Sequence, residues 1–250
     1  MTPAPAGPVA DAAGPGRLHA FYERPGTTVS SGPDRGRRQA QMLAAALEQR
    51  PGPQRIVDVG CGDGSATHLV KRLDPRNTVI GVDWSAMALV QARARGLLVI
   101  QGGVDAAGLP LPDASADVVV MSELIEHLVD TDAAVEEARR ILRPGGILLL
   151  STPNLAAWFN RGLVGLGIQP VFSEVSLRGI YGRPGSQVVG HLHMFTKRAL
   201  TEFLTDRGFT CERVMGAPYH DVPRPMRPLD RLICRWPAAS SILLVEARRT

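Results

Sequence analysis

The chain has 250 residues, of which 44% are hydrophobic and 21% charged, and its formal net charge at pH 7 is +4. This length allows one or two domains, and one α/β core with additions is the simpler interpretation. All but two of the 28 basic residues are arginines, a preference over lysine that is typical of a GC-rich genome. Only 5% of residues are aromatic, so the excess of basic residues does not indicate a nucleic-acid partner.

The cysteines and the apolar runs indicate the cellular setting. Cys61, Cys211 and Cys234 form no C-x-x-C pair and are odd in number, which favours a reducing, cytoplasmic location without a disulfide framework or a zinc ribbon. No apolar run approaches the roughly 18 residues of a membrane-spanning helix. The N-terminus lacks a basic cluster before a hydrophobic stretch, so neither a signal peptide nor integral membrane association is expected.

Residues 1–36 are rich in proline and glycine, a composition that buries too little apolar surface to offset its chain entropy. We therefore expect a flexible N-terminal segment. An apolar patch at residues 18–23 is interpreted as a hydrophobic clip onto the core. The main domain is expected to cover 37–250 and to open with a one-faced helix over 38–49.

From residue 55 onward, short apolar runs alternate with helical patterns. Strands are predicted at 56–59, 78–83 and 97–101, with helices at 66–73 and 86–95. This alternation predicts an α/β fold with a parallel sheet and helices on both faces. Ligands of such sheets bind at the carboxyl ends of the strands, which is the predicted position of Gly60, Asp83, Asp105 and Ser122.

The later chain predicts the remaining elements. An amphipathic helix is predicted over 132–142, and a second helix over 196–208 has Thr196 as its N-cap and Gly208 at its end. Closing strands are predicted at 209–215 and 241–246.

The most informative stretch is Arg55 to Ser65, where an apolar run leads directly into glycines at positions 60, 62 and 64. This pattern predicts strand, tight turn and helix, with a ligand lying against backbone that has no Cβ. The spacing does not fit the dinucleotide pattern G-x-G-x-x-G in either register. A carboxylate, Asp58, stands in the strand before the turn, where it would repel a pyrophosphate but suit a cationic amino group.

These residues resemble the class I S-adenosylmethionine-dependent methyltransferases. The resemblance extends over five motifs in one order, which are 55–65, 81–85, 103–112, 116–128 with Glu126-His127-Leu128, and 142–154. It implies a Rossmann-like, doubly wound, mostly parallel seven-stranded sheet, and S-adenosyl-L-methionine as the cofactor. In many relatives a segment before the core folds over the cofactor, so 18–23 is also a candidate lid.

The resemblance also implies roles for particular residues. Asp58 is expected to bind the cofactor's ammonium group, or to bind backbone amides of the glycine loop, and these roles are compatible. Gly60, Cys61 and Gly62 would allow close approach of the cofactor. Asp83 is expected to bind the ribose hydroxyls, and Ser122 to contact the cofactor. Trp84 is expected to stack on the adenine, although a core or exposed tryptophan explains it nearly as well. Asp105 is expected to bind the adenine amino group, and Ala106 to contact the cofactor in the same segment.

The acceptor side depends on three histidines. His127 follows the predicted fourth strand and is a candidate base, or else Glu126 and His127 bind backbone at a helix start. His191 and His193 fall on one side of an extended segment, where they could bind a metal, bracket an acceptor, supply the base or pack the insert against the core. Because no acidic partner is visible nearby in the sequence, substrate-side histidines without a metal are predicted.

Residues 155–195 interrupt the alternation and carry a concentration of aromatic residues. Relatives commonly place acceptor-recognition structure here, and a plain hydrophobic cover is an equal alternative. The predicted function is methyl transfer from S-adenosylmethionine to a small-molecule or lipid-linked acceptor, with oxygen as the acceptor atom. The alternatives are a non-catalytic S-adenosylmethionine-binding module and a nicotinamide-dependent oxidoreductase. The sequence predicts neither the acceptor's identity nor the oligomeric state.

Overall fold

A computed structural model describes residues 33–48, 50, 52–104, 108–185 and 188–250. The apolar patch at 18–23 and most of the predicted flexible segment lie outside these residues. The helices are α1 (Pro33–Glu48), α2 (Ser65–Leu73), α3 (Ala86–Ala94), α4 (Thr131–Ile141), α5 (Trp158–Gly165), α6 (Lys197–Asp206) and α7 (Arg227–Ile233). The strands are β1 (Arg55–Val59), β2 (Thr78–Asp83), β3 (Leu98–Gln101), β4 (Ala116–Ser122), β5 (Leu142–Pro153), β6 (Phe209–Ala217) and β7 (Ile242–Arg249).

The strands form one seven-stranded sheet in the spatial order β3-β2-β1-β4-β5-β7-β6. β1 to β5 pair in parallel, whereas β7 runs antiparallel to both of its neighbours, β5 and β6. The predicted doubly wound, mostly parallel fold is therefore confirmed. The two predicted closing strands are present and pair with each other, with β7 inside the sheet and β6 at its edge.

Alternating residues of β4 show how the two faces are covered. Val118 and Val120 pack into one apolar cluster with Met42, Leu43 and Ala46 of α1. Successive side chains point to opposite faces of a strand, so Val119 and Met121 pack into a second cluster. That second cluster includes Ala134, Val135 and Ala138 of α4 with Leu200 and Leu204 of α6. Helices thus cover both faces, as the alternation predicts.

Several helices begin at the polar residues that the sequence offers as caps. The Thr196 hydroxyl accepts a hydrogen bond from the amide of Ala199, 3.2 Å away, which places it at the predicted N-cap. Ser85 caps α3 in the same way through the amide of Ala88. The first helix begins earlier than predicted, at Pro33, so the predicted boundary between 36 and 37 falls inside α1.

Within the described part of the chain, no helix has both the length and the apolar composition that a bilayer span requires.

Candidate functional site

The glycine bend joins β1 to α2 at the carboxyl edge of the sheet. Gly60, Gly62 and Gly64 have φ angles of +75°, +55° and +75°, a conformation that side chains with a Cβ rarely adopt. A Cβ on Gly60 would lie 3.0 Å from Leu124, whereas a Cβ on Gly62 would have no described heavy atom within 4 Å. The bend is therefore packed on one side and leaves space beside Gly62 for a ligand.

Asp83 ends β2 and connects two parts of this edge. One carboxylate oxygen accepts a hydrogen bond from the amide of Gly62 at 2.8 Å, and the other accepts from the amide of Ser85 at 2.9 Å. The residue is 8% exposed, and burial raises its pKa. Asp83 therefore faces the glycine loop, as a residue that binds a ligand at this loop must, and Ser85 rather than Asp83 caps α3.

Asp58 lies in the buried part of β1, and 3% of its surface is exposed. Its carboxylate accepts a hydrogen bond from the Thr67 hydroxyl at 2.5 Å. Burial raises the pKa of Asp58 to about 7, with Thr67 opposing the shift and nearby Asp83 adding to it. The sequence suggested loop amides as its protein partners, but the described partner is a side chain of α2. Among the described residues, the side-chain partner of Asp58 is the neutral Thr67, so binding a cation here would not require breaking a salt bridge.

The other predicted cofactor residues take different positions. The Cys61 side chain packs toward Gly81, where an added Cβ would lie 2.7 Å from the sulfur, and burial raises the pKa of this thiol. Ser122 ends β4 and its hydroxyl accepts a hydrogen bond from the Gln39 side chain of α1. The Trp84 carbonyl accepts one from Gln101 at 3.1 Å. Asp105 and Ala106 lie outside the described residues.

A turn after β4 brings further residues to this edge. Glu123 has a φ of +50°, unusual for a residue with a side chain, and its carboxylate accepts a hydrogen bond from the Ser151 hydroxyl at 2.9 Å. The next residue, Leu124, packs against Gly60. Sequence reasoning missed both residues, although they stand inside the Ser122 to His127 motif.

The structure brings together two of the three predicted histidines. The ring centroids of His127 and His191 lie 4.8 Å apart. Burial lowers the pKa of each to about 4, and the neighbouring His191 lowers that of His127 further. Both imidazoles are therefore neutral near pH 7. His193 takes another position, with its Nε2 3.4 Å from the carbonyl oxygen of Val129.

The expectation that the histidines have no acidic partner is wrong, because Glu126 lies beside two of them. Glu126 is fully buried, and its carboxylate lies with the ring nitrogens of His127 and His191 in one group whose potential ligand atoms are all within 4.8 Å of one another. The fold supplies the acid from the residue beside His127, whereas the prediction considered the surroundings of His191 and His193.

Buried polar side chains that carry no local sequence signal hold the insert together and connect it to the rest of the chain. Asn160 of α5 bonds both backbone groups of Val171, at 2.8 and 3.1 Å. Asp230 of α7 accepts hydrogen bonds from the Trp158 indole and the Tyr219 amide, at 2.9 and 3.0 Å. Their distant partners left no local pattern by which they could be found.

The aromatic residues of the insert differ in how deeply they are buried. Phe172 is buried and makes edge contacts with Phe159 and Tyr219, at ring-centroid distances of 6.0 and 4.8 Å. Tyr181 is 59% exposed. Phe172 therefore forms part of a hydrophobic cover, and its carbonyl also contacts His191 at 2.8 Å.

A separate cleft of about 500 Å³ lies near the amino ends of β1 and β5, away from the glycine bend. It is lined by residues that include Arg50, Arg143 and Arg248. Arg143 pairs with Asp117 at 2.6 Å, and Arg248 pairs with Glu212. The glycine bend does not line this cleft, so the two sites are distinct.

Comparison with known proteins gives a family match over most of the chain. A family model described as a methyltransferase domain matches residues 34–214. A Mycolicibacterium smegmatis protein named a probable S-adenosylmethionine-dependent methyltransferase is 40% identical over 179 residues, which make up 72% of this chain and 61% of the relative. A malonyl-[acyl-carrier protein] O-methyltransferase of Hahella chejuensis is 37% identical over 109 residues, covering 43% of this chain and 39% of that protein.

The chain thus spans between about two fifths and three fifths of the length of these curated relatives. Among solved structures, an S-adenosylmethionine-dependent methyltransferase from Mesorhizobium loti matches with a TM-score of 0.55 and 21% identity, over 84% of this chain and 98% of that chain. At this identity, the likeness shows a shared fold.

Proposed function

Because the chain belongs to the class I S-adenosylmethionine-dependent methyltransferases, we propose that it transfers the methyl group of S-adenosylmethionine to an oxygen atom of a small-molecule or lipid-linked acceptor. The observation that carries the proposal is the open space beside Gly62, at a bend whose amide is bonded to the Asp83 carboxylate. The likeness to a relative named as an O-methyltransferase supports oxygen as the acceptor atom.

The residues of the bend fit this cofactor in charge and shape. When bound, S-adenosylmethionine supplies an electrophilic methyl group on a sulfonium. Asp58 is proposed to bind its ammonium group, since a buried carboxylate gains most from a cation. Asp83 is proposed to bind the ribose hydroxyls while it holds the Gly62 amide. Trp84, Asp105, Ala106 and Ser122 are proposed as further cofactor contacts, and Cys61 contributes through its backbone.

The protein's main contribution to such a transfer is alignment of the reacting groups and exclusion of water. We place the acceptor beside His127 and His191, because they follow the β4 turn whose Leu124 packs on Gly60. His193 is left out of this acceptor site, since its ring contacts Val129. The buried Phe172 and α5 of the insert would limit the access of water from one side.

The decisive experiment incubates the purified chain with methyl-tritiated S-adenosylmethionine and a panel of carboxylate, phenol, amine and lipid-linked acceptors. We expect label to appear in an oxygen-methylated product, identified by mass spectrometry. Cofactor binding without transfer to any acceptor would favour the non-catalytic binding module. A preference for NADH over S-adenosylmethionine in equilibrium binding would contradict the proposal altogether.

Cofactor affinity should depend on the protonation of Asp58. A proton on this carboxylate competes with the cofactor's ammonium group, so binding strengthens as pH rises through its pKa of about 7. By this competition, affinity should fall by about tenfold between pH 7.5 and pH 6. Isothermal titration calorimetry across this range measures the effect.

The matched control is Asp58→Asn, which keeps the shape of the side chain and removes its titration. We expect the variant to bind more weakly and with an affinity that changes little over the same pH range. If the wild-type affinity is equally flat, Asp58 does not face the ammonium group.

A further inference from the structure

Three potential metal ligands from two distant segments meet just beyond β4. Glu126 and His127 belong to the 3₁₀ turn Ile125–His127, and His191 belongs to the end of the insert. One ligand atom of each residue lies within 4.8 Å of the other two. We call these residues the His–His–Glu cluster.

The hydrogen bonds of the two rings indicate which nitrogen of each ring carries the proton. His127 Nδ1 lies 3.2 Å from the Gly190 carbonyl oxygen, and His191 Nδ1 lies 2.8 Å from the Phe172 carbonyl oxygen. A carbonyl can only accept, so each Nδ1 carries the proton and donates it. Each Nε2 therefore presents a lone pair, and this pairing with backbone carbonyls is the usual support of metal-binding histidines.

Glu126 supplies an oriented carboxylate to the same cluster. It has no exposed surface, and the Thr152 hydroxyl donates a hydrogen bond to its Oε2 at 3.0 Å. The other oxygen, Oε1, lies 3.9 Å from His127 Nε2. Burying an ionised carboxylate costs free energy, and a divalent cation held between Oε1 and the imidazoles would offset that cost.

The segment that carries His191 is fixed by another buried carboxylate, Glu174. Its side chain pairs with Arg183 at 2.9 Å, and both side chains are almost fully buried. It also accepts the amides of Val189 and Gly190 at 2.7 Å and that of His191 at 3.2 Å. This arrangement positions both the Gly190 carbonyl and the His191 ring, which are the two contributions of the insert to the cluster.

From this geometry we propose that Glu126, His127 and His191 bind a divalent transition-metal ion of the Zn²⁺ class through Oε1 and the two Nε2 atoms. Two imidazoles and one carboxylate suit such ions, and three protein ligands leave a position open. Ligands of one ion at about 2.0–2.2 Å lie closer together than the atoms of this cluster, so binding draws the side chains inward. An acceptor hydroxyl in the open position would lose its proton to solvent more readily, because the ion would lower its pKa. Its oxygen would then take the methyl group as the carbon–sulfur bond breaks and the cofactor leaves as a neutral thioether, a point that rests on the proposed function.

Metal binding can be measured without any acceptor. The full chain is freed of metal with a chelator and titrated with Co²⁺, which reports coordination by its visible absorption, and then with Zn²⁺ in calorimetry. We expect one ion per chain, with Zn²⁺ displacing Co²⁺. His191→Ala and Glu126→Gln should each weaken binding by at least about 100-fold, because loss of even an outer partner costs about 10–100-fold.

The matched control is His193→Ala, which removes the nearest other imidazole in the sequence and should leave Co²⁺ binding unchanged. Circular dichroism checks that each variant is folded. If Glu126→Gln does not fold, the His191→Ala variant and the rise in the wild-type melting temperature on adding Zn²⁺ still decide the matter. Wild-type chain that gives no cobalt spectrum and no such rise overturns the metal site, as does a His191→Ala variant that binds as tightly as wild type.

The failure of this site and the failure of the proposed function are separable in the same sample. Metal-free chain that still binds S-adenosylmethionine but not Co²⁺ overturns the metal site and leaves the methyltransferase proposal standing. Metal binding together with methyl transfer that is unaffected by chelation overturns the acceptor role of the ion. Transfer that is lost on chelation and restored by Zn²⁺ supports that role.

Discussion

Replacing Asp83 by alanine is expected to weaken the binding of S-adenosylmethionine by about 1.5–3 kcal/mol, which is about 10–150-fold in the dissociation constant. The substitution removes the proposed acceptor for the ribose hydroxyls. It also removes the acceptor for the amides of Gly62 and Ser85, at 2.8 and 2.9 Å, so the bend itself loses a support. Isothermal titration calorimetry of the purified variant measures the loss.

Asp63 offers the matched control, because it is an acid in the same loop with a different environment. Its side chain is 39% exposed and pairs with Arg95 at 2.7 Å. An exposed pair contributes about 0.2–1 kcal/mol at most, so Asp63→Ala should change cofactor affinity by no more than about fivefold. Equal affinity in Asp83→Ala and wild type would remove Asp83 from the cofactor site.

Replacing Gly64 by alanine is expected to lower the free energy of unfolding by about 2–5 kcal/mol. About 1–2 kcal/mol comes from the left-handed backbone, and about 1–3 kcal/mol comes from overpacking. The added Cβ would lie 2.4 Å from Leu97 Cδ1 and 2.9 Å from the Cβ of Ala92, so α3 has to move away from the start of α2. Urea unfolding followed by circular dichroism measures the change.

Gly96 separates the two contributions. Its φ of +76° matches the +75° of Gly64, but a Cβ there would meet no described atom within 4 Å. Gly96→Ala should therefore cost about 1–2 kcal/mol, the backbone contribution alone. If the two variants lose equal stability, the contact between the bend and α3 is looser than the structure indicates.

The sheet and the glycine bend were predictable because their signals are local. The apolar run 56–59 leads into alternate glycines, and all three of these glycines take positive φ angles in the structure. Asp83 was placed correctly for a similar reason, since the end of β2 and the next helix start, with Ser85 as cap, can be read from adjacent residues. Short-range pattern thus sufficed to predict that the glycine bend and Asp83 lie at the carboxyl ends of β1 and β2, while their cofactor roles remain predictions.

The proposed acceptor side of the site was harder to predict from the sequence, because its contacts join distant segments. His127 and His191 meet only after the insert folds back across the end of β4, a pairing that no periodicity encodes. Glu174 is similar, since it stands as a lone acid in the insert yet bonds Arg183 and consecutive amides near residue 190. Asp58 was also misjudged in its protein partner, because Thr67 reaches it from the first turns of α2.

The position of β7 between β5 and β6 has a consequence for biosynthesis. As the polypeptide leaves the ribosome, β6 emerges before β7, yet among the described strands its only partner in the finished sheet is β7. Until β7 has been translated, the outer side of β5 stays an open edge and β6 has no strand to join, which is the kind of surface that nascent chains aggregate through. Once β7 has been translated, it pairs with β5 and β6 together and covers both unpaired strand edges.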